Sequence, residues 1–246
     1  RYSVSGASWA ASTTTLTANT IALHTEGTLA YAGSGSAGNL WTSTDGDAWT
    51  QRSDKASCFA TWQEKVWIGY QNTIKSAKAA ATSWSGNITV GDHGTNILAM
   101  TEAFGLLFIR KEDGLYYFNG TDVVPIFRKN TTLYTGNKVL RFHEGFLYYN
   151  DMARVKKLSM SGGQLANIVD VTPEMGGDET KELYGHGIPI EAWTGPGDKL
   201  YVAFNLGENS FAEVLVYNGL GWQQFYRSAA SVTMSAGGYS RLSDKT

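Results

Sequence analysis

A tight turn followed by an aromatic-rich apolar strand recurs five times along this chain at a nearly constant interval. The copies are Gly27-Thr28-Leu29-Ala30-Tyr31, Glu64-Lys65-Val66-Trp67-Ile68, Gly105-Leu106-Leu107-Phe108-Ile109, Gly145-Phe146-Leu147-Tyr148-Tyr149 and Asp198-Lys199-Leu200-Tyr201-Val202. Their anchors Leu29, Val66, Leu107, Leu147 and Leu200 stand 37, 41, 40 and 53 residues apart, and a fainter copy, Gly238-Tyr239-Ser240-Arg241, puts Ser240 another 40 on. A period of this length marks a unit that cannot bury its own apolar face, so neighbouring units must stack to close a core. A second element follows the anchor: a short strand, a polar turn with glycine, then often tryptophan. It reads Leu40-Trp41-Thr42-Ser43 through Gly46 to Trp49, Leu115-Tyr116-Tyr117-Phe118-Asn119-Gly120, and Val214-Leu215-Val216-Tyr217-Asn218-Gly219 through Gly221 to Trp222. Asn-Gly is a strong hairpin signal because both residues tolerate positive φ.

Each unit therefore reads as strand a, turn, strand b, loop, strand c, turn, strand d. The spacing predicts an all-β fold, a β-propeller of four-stranded antiparallel blades of about 40–50 residues each. One domain spans 1–246, with units at about 19–52, 57–90, 96–128, 137–171 and 190–227. Tyr2–Trp9 resembles a c–d hairpin with no a or b before it, and 231–242 an a–b hairpin with nothing after it. Joined, segments 1–17 and 229–246 predict a sixth blade shared between the termini, closing the ring without a free edge. A β-sandwich would lack the internal period, and a stacked-strand solenoid has a shorter one. Residues 73–84, with Ala79-Ala80-Ala81 and no bulky residues at helical spacing, read as a c–d connection. The chain opens on Arg1 and is expected to be part of a longer protein.

Composition narrows the partners. A formal charge of −2 leaves no excess of cations to neutralise many phosphates, so nucleic acid is not an expected partner. No run approaches the ~18 apolar residues of a membrane span, so insertion is not expected. The single cysteine, Cys58, lies beside Phe59 in an apolar run and reads as a buried thiol. His24, His93 and His143 fall in different units without metal-ligand spacing. Neither a cofactor nor a metal is implied.

Ser43-Thr44-Asp45-Gly46-Asp47-Ala48-Trp49 resembles the Asp box, or BNR repeat, found on c–d hairpins of sialidase-like propellers and many other proteins. The match is a one-residue-shorter variant, and it covers about one blade. The resemblance implies that Ser43, Asp45, Gly46 and Trp49 are structural: the carboxylate accepts backbone N–H bonds, the glycine supplies a permissive φ, and the indole packs between sheets. It does not make Asp45 a catalytic acid. The irregular blades and Thr/Ser/Gly-rich turns are similar in style to propellers of phage virion and tail-associated proteins, which implies a structural or host-contact role.

In such a blade the b–c and d–a connections share one face. The longest irregular stretch, about Thr172 to Pro189, is a d–a connection there, and the b–c loop Asn205–Ser210 is its neighbour. Long loops on a rigid scaffold carry function, so the candidate binding residues are Glu174, Asp178, Glu179, Tyr184, His186, Asn205, Glu208 and Asn209. A calcium site there lacks EF-hand spacing, and acidic loops of this kind are ordinarily solvated. Gly91–Asn96 reads as another d–a turn on the same face.

No constellation of residues specifies a reaction. The expected function is a non-catalytic structural or interaction module of a virion or extracellular assembly, with other protein subunits as partners. A carbohydrate-binding propeller taking cell-surface glycans is the alternative. A sialidase-like hydrolase is a second: that family needs an arginine cluster, a Tyr–Glu pair and an acid. The Arg-Ile-Pro signature is absent, and Arg52, Arg110, Arg128, Arg141, Arg154 and Arg227 sit mostly at strand ends.

Overall fold

Left-handed two-residue turns set the pairing register of several hairpins. In the computed structural model, Gln63 and Glu64 (φ 50° and 57°), Phe104 and Gly105 (53° and 75°), and Glu144 and Gly145 (46° and 79°) all lie in the left-handed region. These are turns whose twist matches that of the strands they join. The structure describes residues 20–78, 80–128, 138–151, 154–172, 188–206 and 211–227, together with position 16.

Contacts divide the chain into two compact units, 1–132 and 133–246. The first holds three sheets. They are β1 (Ala22–Glu26), β2 (Leu29–Gly33), β3 (Trp41–Ser43) and β4 (Thr50–Gln51); β5 (Cys58–Trp62), β6 (Lys65–Tyr70), β7 (Thr73–Lys78) and β8 (Ser85–Thr89); and β9 (Ile97–Ala103), β10 (Leu106–Lys111), β11 (Gly114–Phe118) and β12 (Val123–Arg128). The second holds two: β13 (Leu140–His143), β14 (Phe146–Asp151), β15 (Arg154–Ser161) and β16 (Gln164–Asp170); and β17 (Ile188–Gly195), β18 (Lys199–Leu206), β19 (Phe211–Tyr217) and β20 (Trp222–Arg227). Every sheet is an antiparallel meander with its strands in chain order.

The described residues thus make five four-stranded blades, which corrects the expected six. The segments assigned to a shared closing blade, 1–17 and 229–246, lie outside the described residues apart from position 16. Strand-like alternation at the ends had suggested a sixth sheet, but a sheet is defined by pairing. All twenty described strands pair within the five quartets.

The apolar runs read as anchors are the b strands, and they are continuous because both faces of a blade are buried. On β6, Val66 and Ile68 join Leu29, Tyr31 and Leu40 of blade 1, while Trp67 turns the other way to join Leu107, Ile109 and Phe118 of blade 3. Successive side chains leave a strand on opposite faces, so one run serves two interfaces. In the second unit Tyr148 and Val155 of blade 4 pack on Leu200, Val202 and Leu215 of blade 5. Each such side chain contributes roughly 1.5–3 kcal/mol of burial.

Two local expectations are also corrected. Residues 73–78 are strand β7 itself, and only the stretch after Lys78 connects c to d. Ile74 and Ala77 fill buried positions, and small residues suffice where neighbouring large ones, such as Trp67 and Trp84, already occupy the space. Asn205, expected to open a b–c loop, lies in β18 and pairs with Ile188 and Ala212. At eight residues β18 is longer than the second strand of any other described blade.

Candidate functional site

The hairpin between β3 and β4 shows what the Ser-Thr-Asp-Gly segment does. Asp45 Oδ1 accepts the N–H groups of Asp47 (2.8 Å) and Ala48 (2.9 Å), and the Ser43 hydroxyl donates to it at 2.9 Å. The Ser43 Oγ accepts from Gly46 N at 2.8 Å, and Trp49 Nε1 donates to Gly46 O at 3.0 Å. These donors, the Asp47 and Ala48 amides first, hold the Asp45 carboxyl below the usual range. All four residues act within one turn.

Of the loop residues expected to bind, Glu174, Asp178, Glu179, Tyr184, His186, Glu208 and Asn209 lie outside the described residues, and Asn205 is described as strand backbone. Among the described residues, a polar cluster forms between blades 2 and 3. The two-residue turn Glu112–Asp113 between β10 and β11 meets the d–a connection 90–96, the turn read from the sequence at Gly91–Asn96. Asn96 N and Nδ2 donate to the Glu112 carboxylate at 2.8 and 3.2 Å, and Glu112 N returns a bond to Asn96 O.

At its centre Lys111 is fully buried. Its Nζ donates to the carbonyls of Val90 (2.6 Å) and Asp92 (2.8 Å) and stands 3.9 Å from Asp113 Oδ1. Burial pulls the ammonium below the ordinary lysine range, and the Asp113 carboxylate opposes that pull. Tyr116 Oη donates to Asp113 Oδ2 at 2.9 Å; burial, and then this bond, push its phenol up to about 12. Asp113 Oδ1 has no hydrogen-bond partner and faces the ammonium alone. An exposed ion pair, Arg128 to Asp92 at 2.5 Å, and a bond from Asn72 Nδ2 to His93 Nδ1 at 2.9 Å border the cluster. The buried cation is committed to the protein's own backbone, so the group is a latch between a connection and the following blade.

Gly91 is part of that latch. Its φ is +57°, and a Cβ there would lie 2.5 Å from Tyr116 Oη. Gly91→Ala is expected to cost about 1–3 kcal/mol through overpacking and a strained backbone, read from the denaturant midpoint. An unchanged midpoint would show that the connection is free to move off Tyr116.

A second polar group ties the first strands of blades 1 and 2. Thr61 Oγ1 donates to Glu26 Oε2 at 2.5 Å, and with that proton committed, His24 Nε2 donates to Thr61 Oγ1 at 3.0 Å while its ring stacks on Phe59. The other unit repeats the device: Arg141 Nε on β13 donates to Thr194 Oγ1 on β17 at 3.1 Å. Burial holds His24 below its ordinary value of 6.5, although Glu26 favours the charge. Between the two values the unfolded chain binds more protons, so stability present above about 6.5 is lost as pH falls through that window. Thermal melts from neutral to mildly acid pH should show this loss, and His24→Gln, which keeps a donor, should flatten it. An equal pH slope in both proteins would remove His24 as the cause.

Three further described arginines are engaged locally. Arg52 Nε donates to Thr42 within blade 1, Arg110 Nη1 to the carbonyls of Lys111 and Gly114 (2.8 Å to Gly114), and Arg154 to Asp170 at 2.7 Å. Among the described residues no group of three or more His, Cys, Asp or Glu side chains is placed to hold a metal ion. No helix among them is long and apolar enough to cross a membrane. Among the described residues, exposed large apolar side chains of the second unit include Leu165, Ile168 and Val169 on β16, Phe225 and Tyr226 on β20, and Leu220 in the turn before β20; Ile21 and Leu23 are exposed in the first. Sequence reading missed the latch because Lys111 and Asp113 look like solvated turn charges. It missed the His24–Thr61 tie because the two residues are 37 positions apart.

No family model matches the chain, and no curated protein sequence matches it. Solved structures do. The streptogramin B lyase structure superposes with a TM-score of 0.58 at 10% identity over 82% of this chain and 66% of the lyase. The extracellular domain of a protein described as a hybrid two component system from B. thetaiotaomicron gives 0.57 at 12% identity, over 84% of this chain and 28% of that one. A protein of Bacteroides fragilis described as exported gives 0.57 at 8% identity, over 89% and 75%. The chain spans about two thirds of the lyase and under a third of the two-component protein. Likenesses at this level of identity carry architecture and leave chemistry open: the chain is an all-β propeller of four-stranded antiparallel blades.

Proposed function

We propose that this chain is a non-catalytic interaction module, a propeller whose outer strands contact other protein subunits of a virion or extracellular assembly. The observation that carries the reading is the exposed apolar set on β16 and β20. Leu165 is 48% exposed and Phe225 64%, and Leu220, in the turn before β20, is 98% exposed. Apolar side chains gathered on a surface mark contact sites more often than chemistry. The polar clusters support the same reading, since Lys111, Arg52 and Arg154 spend their donors on the protein itself. The staple at Asp45 fits the Asp-box reading of the first hairpin, and likeness in style to phage tail propellers points to a particle surface.

Native mass measurement of the protein from its natural source tests this. A multi-chain complex that Leu165→Lys with Phe225→Lys dissociates, without loss of the fold, is the expected result. A lone monomer that turns over a substrate would overturn it. The exposed rings of Phe225 and Tyr226 favour glycan binding as a second reading, because aromatic faces stack on sugars. Binding on a glycan array that Tyr226→Ala abolishes would select it, and a fluorogenic sialoside left intact would set aside hydrolysis.

A further inference from the structure

Three c–d hairpins share one staple. Asp45, Asn119 and Asn218 are each followed by glycine, with Gly46, Gly120 and Gly219 at φ 79°, 105° and 90°. In each, the side-chain Oδ1 accepts the backbone N–H groups two and three residues on. These are Asp47 and Ala48 (2.8 and 2.9 Å), Thr121 and Asp122 (2.8 and 2.7 Å), and Leu220 and Gly221 (3.0 and 2.8 Å). For an aspartate this arrangement is inert stabilisation of a carboxylate. For an asparagine it resembles the donor pair that enzymes aim at a tetrahedral oxyanion, at the 2.7–3.1 Å such donors require.

We propose that Asn119 and Asn218 are self-modifying positions, at which the backbone nitrogen of the following glycine converts the side-chain amide to a carboxylate. The glycine nitrogen loses its proton to solvent and forms a bond to the asparagine Cγ. The negative charge that develops on Oδ1 falls on the two amide donors already bound there. The intermediate collapses by breaking the Cγ–Nδ2 bond, and the nitrogen leaves as ammonia after taking a proton from solvent. Water then adds to either carbonyl of the cyclic imide and opens it to aspartate or isoaspartate. No oxidant, reductant or cofactor enters the balance.

Three features of the two turns suit this chemistry. Both Asn-Gly pairs are exposed, so hydroxide reaches the glycine N–H. Among the described residues neither glycine N–H nor asparagine Nδ2 is engaged in a hydrogen bond, so nucleophile and leaving group are both free. Glycine brings no Cβ to block the approach; a Cβ at Gly219 would meet nothing within 4 Å. The first hairpin supplies the contrast. Its glycine N–H is taken by Ser43 Oγ at 2.8 Å, and its side chain is already the acid, still held by the same two donors. Conversion to aspartate therefore keeps the staple and adds one negative charge at each of two hairpin tips, taking the formal charge from −2 to −4.

The test is peptide mapping by mass spectrometry of the folded chain held at mildly alkaline pH, beside the same chain in urea. Asn119 and Asn218 should convert first, at rates in the folded protein no slower than in urea, while Asn72, Asn87 and Asn96 stay intact. Asn119→Asp should fold with an unchanged melting temperature. Slower conversion in the folded chain than in urea would overturn the proposal, because the fold would then protect these turns. Equal rates at all asparagines, or a destabilised Asn119→Asp, would do the same.

Discussion

Lys111→Met should lower stability by about 3–5 kcal/mol, the usual result of removing one partner from a buried charge arrangement. Methionine matches the length of the lysine stem, so packing is largely kept and the loss is electrostatic. The carbonyls of Val90 and Asp92 lose their donor, and Asp113 loses the ammonium 3.9 Å from its unpartnered Oδ1. Denaturant unfolding measures the size, and hydrogen exchange shows where it falls, with protection lost first over 90–96. Lys111→Met with Asp113→Asn should recover part of the loss, since the stranded carboxylate is then neutral. A single-variant loss below about 1 kcal/mol would mean that water takes over both carbonyls and the latch is not structural.

Trp62→Ala should cost a similar amount, about 3–5 kcal/mol, from the void left by a buried indole. Trp62 is 2% exposed and packs at 5.6 Å from both Trp67 and Phe118, so its removal opens the core between blades 2 and 3. Its Nε1 also donates to Gly105 O at 2.9 Å, joining blade 2 to the first turn of blade 3. Trp62→Phe separates the two effects: an aromatic ring stays and the bond goes, for a loss of about 1 kcal/mol where Gly105 O is left unpaired. Both should show as shifted denaturant midpoints. If Trp62→Phe matched Trp62→Ala, the bond rather than the packing would dominate.

The repeat was legible because b strands are buried on both faces, and this forces uninterrupted runs such as Val66-Trp67-Ile68 that no surface strand needs. The Asn-Gly and Asp-Gly turns were legible for a local reason, since a positive φ selects those residues. The strand β7 was not, because its buried positions are held by Ile74 and Ala77 among polar neighbours, and the bulk of that interface comes from other strands. The blade count failed where strand-like patterning was taken for pairing. The sites were least legible of all. Lys111 reads as a surface charge until Val90 and Asp92, about twenty residues earlier, are seen to cap it. The residues from Glu174 to His186 lie outside the described residues, and the length and polarity of a segment say nothing of what it meets.

Pairing only between consecutive strands also bears on how the chain acquires its shape. Every ladder among the described residues joins segments a few residues to some twenty residues apart, and none of the described strands pairs with one from another sheet. The ladders are therefore local in sequence, and each needs only a short loop closure. Within each compact unit a blade can form on its own turns and then offer the next a finished apolar wall to condense on.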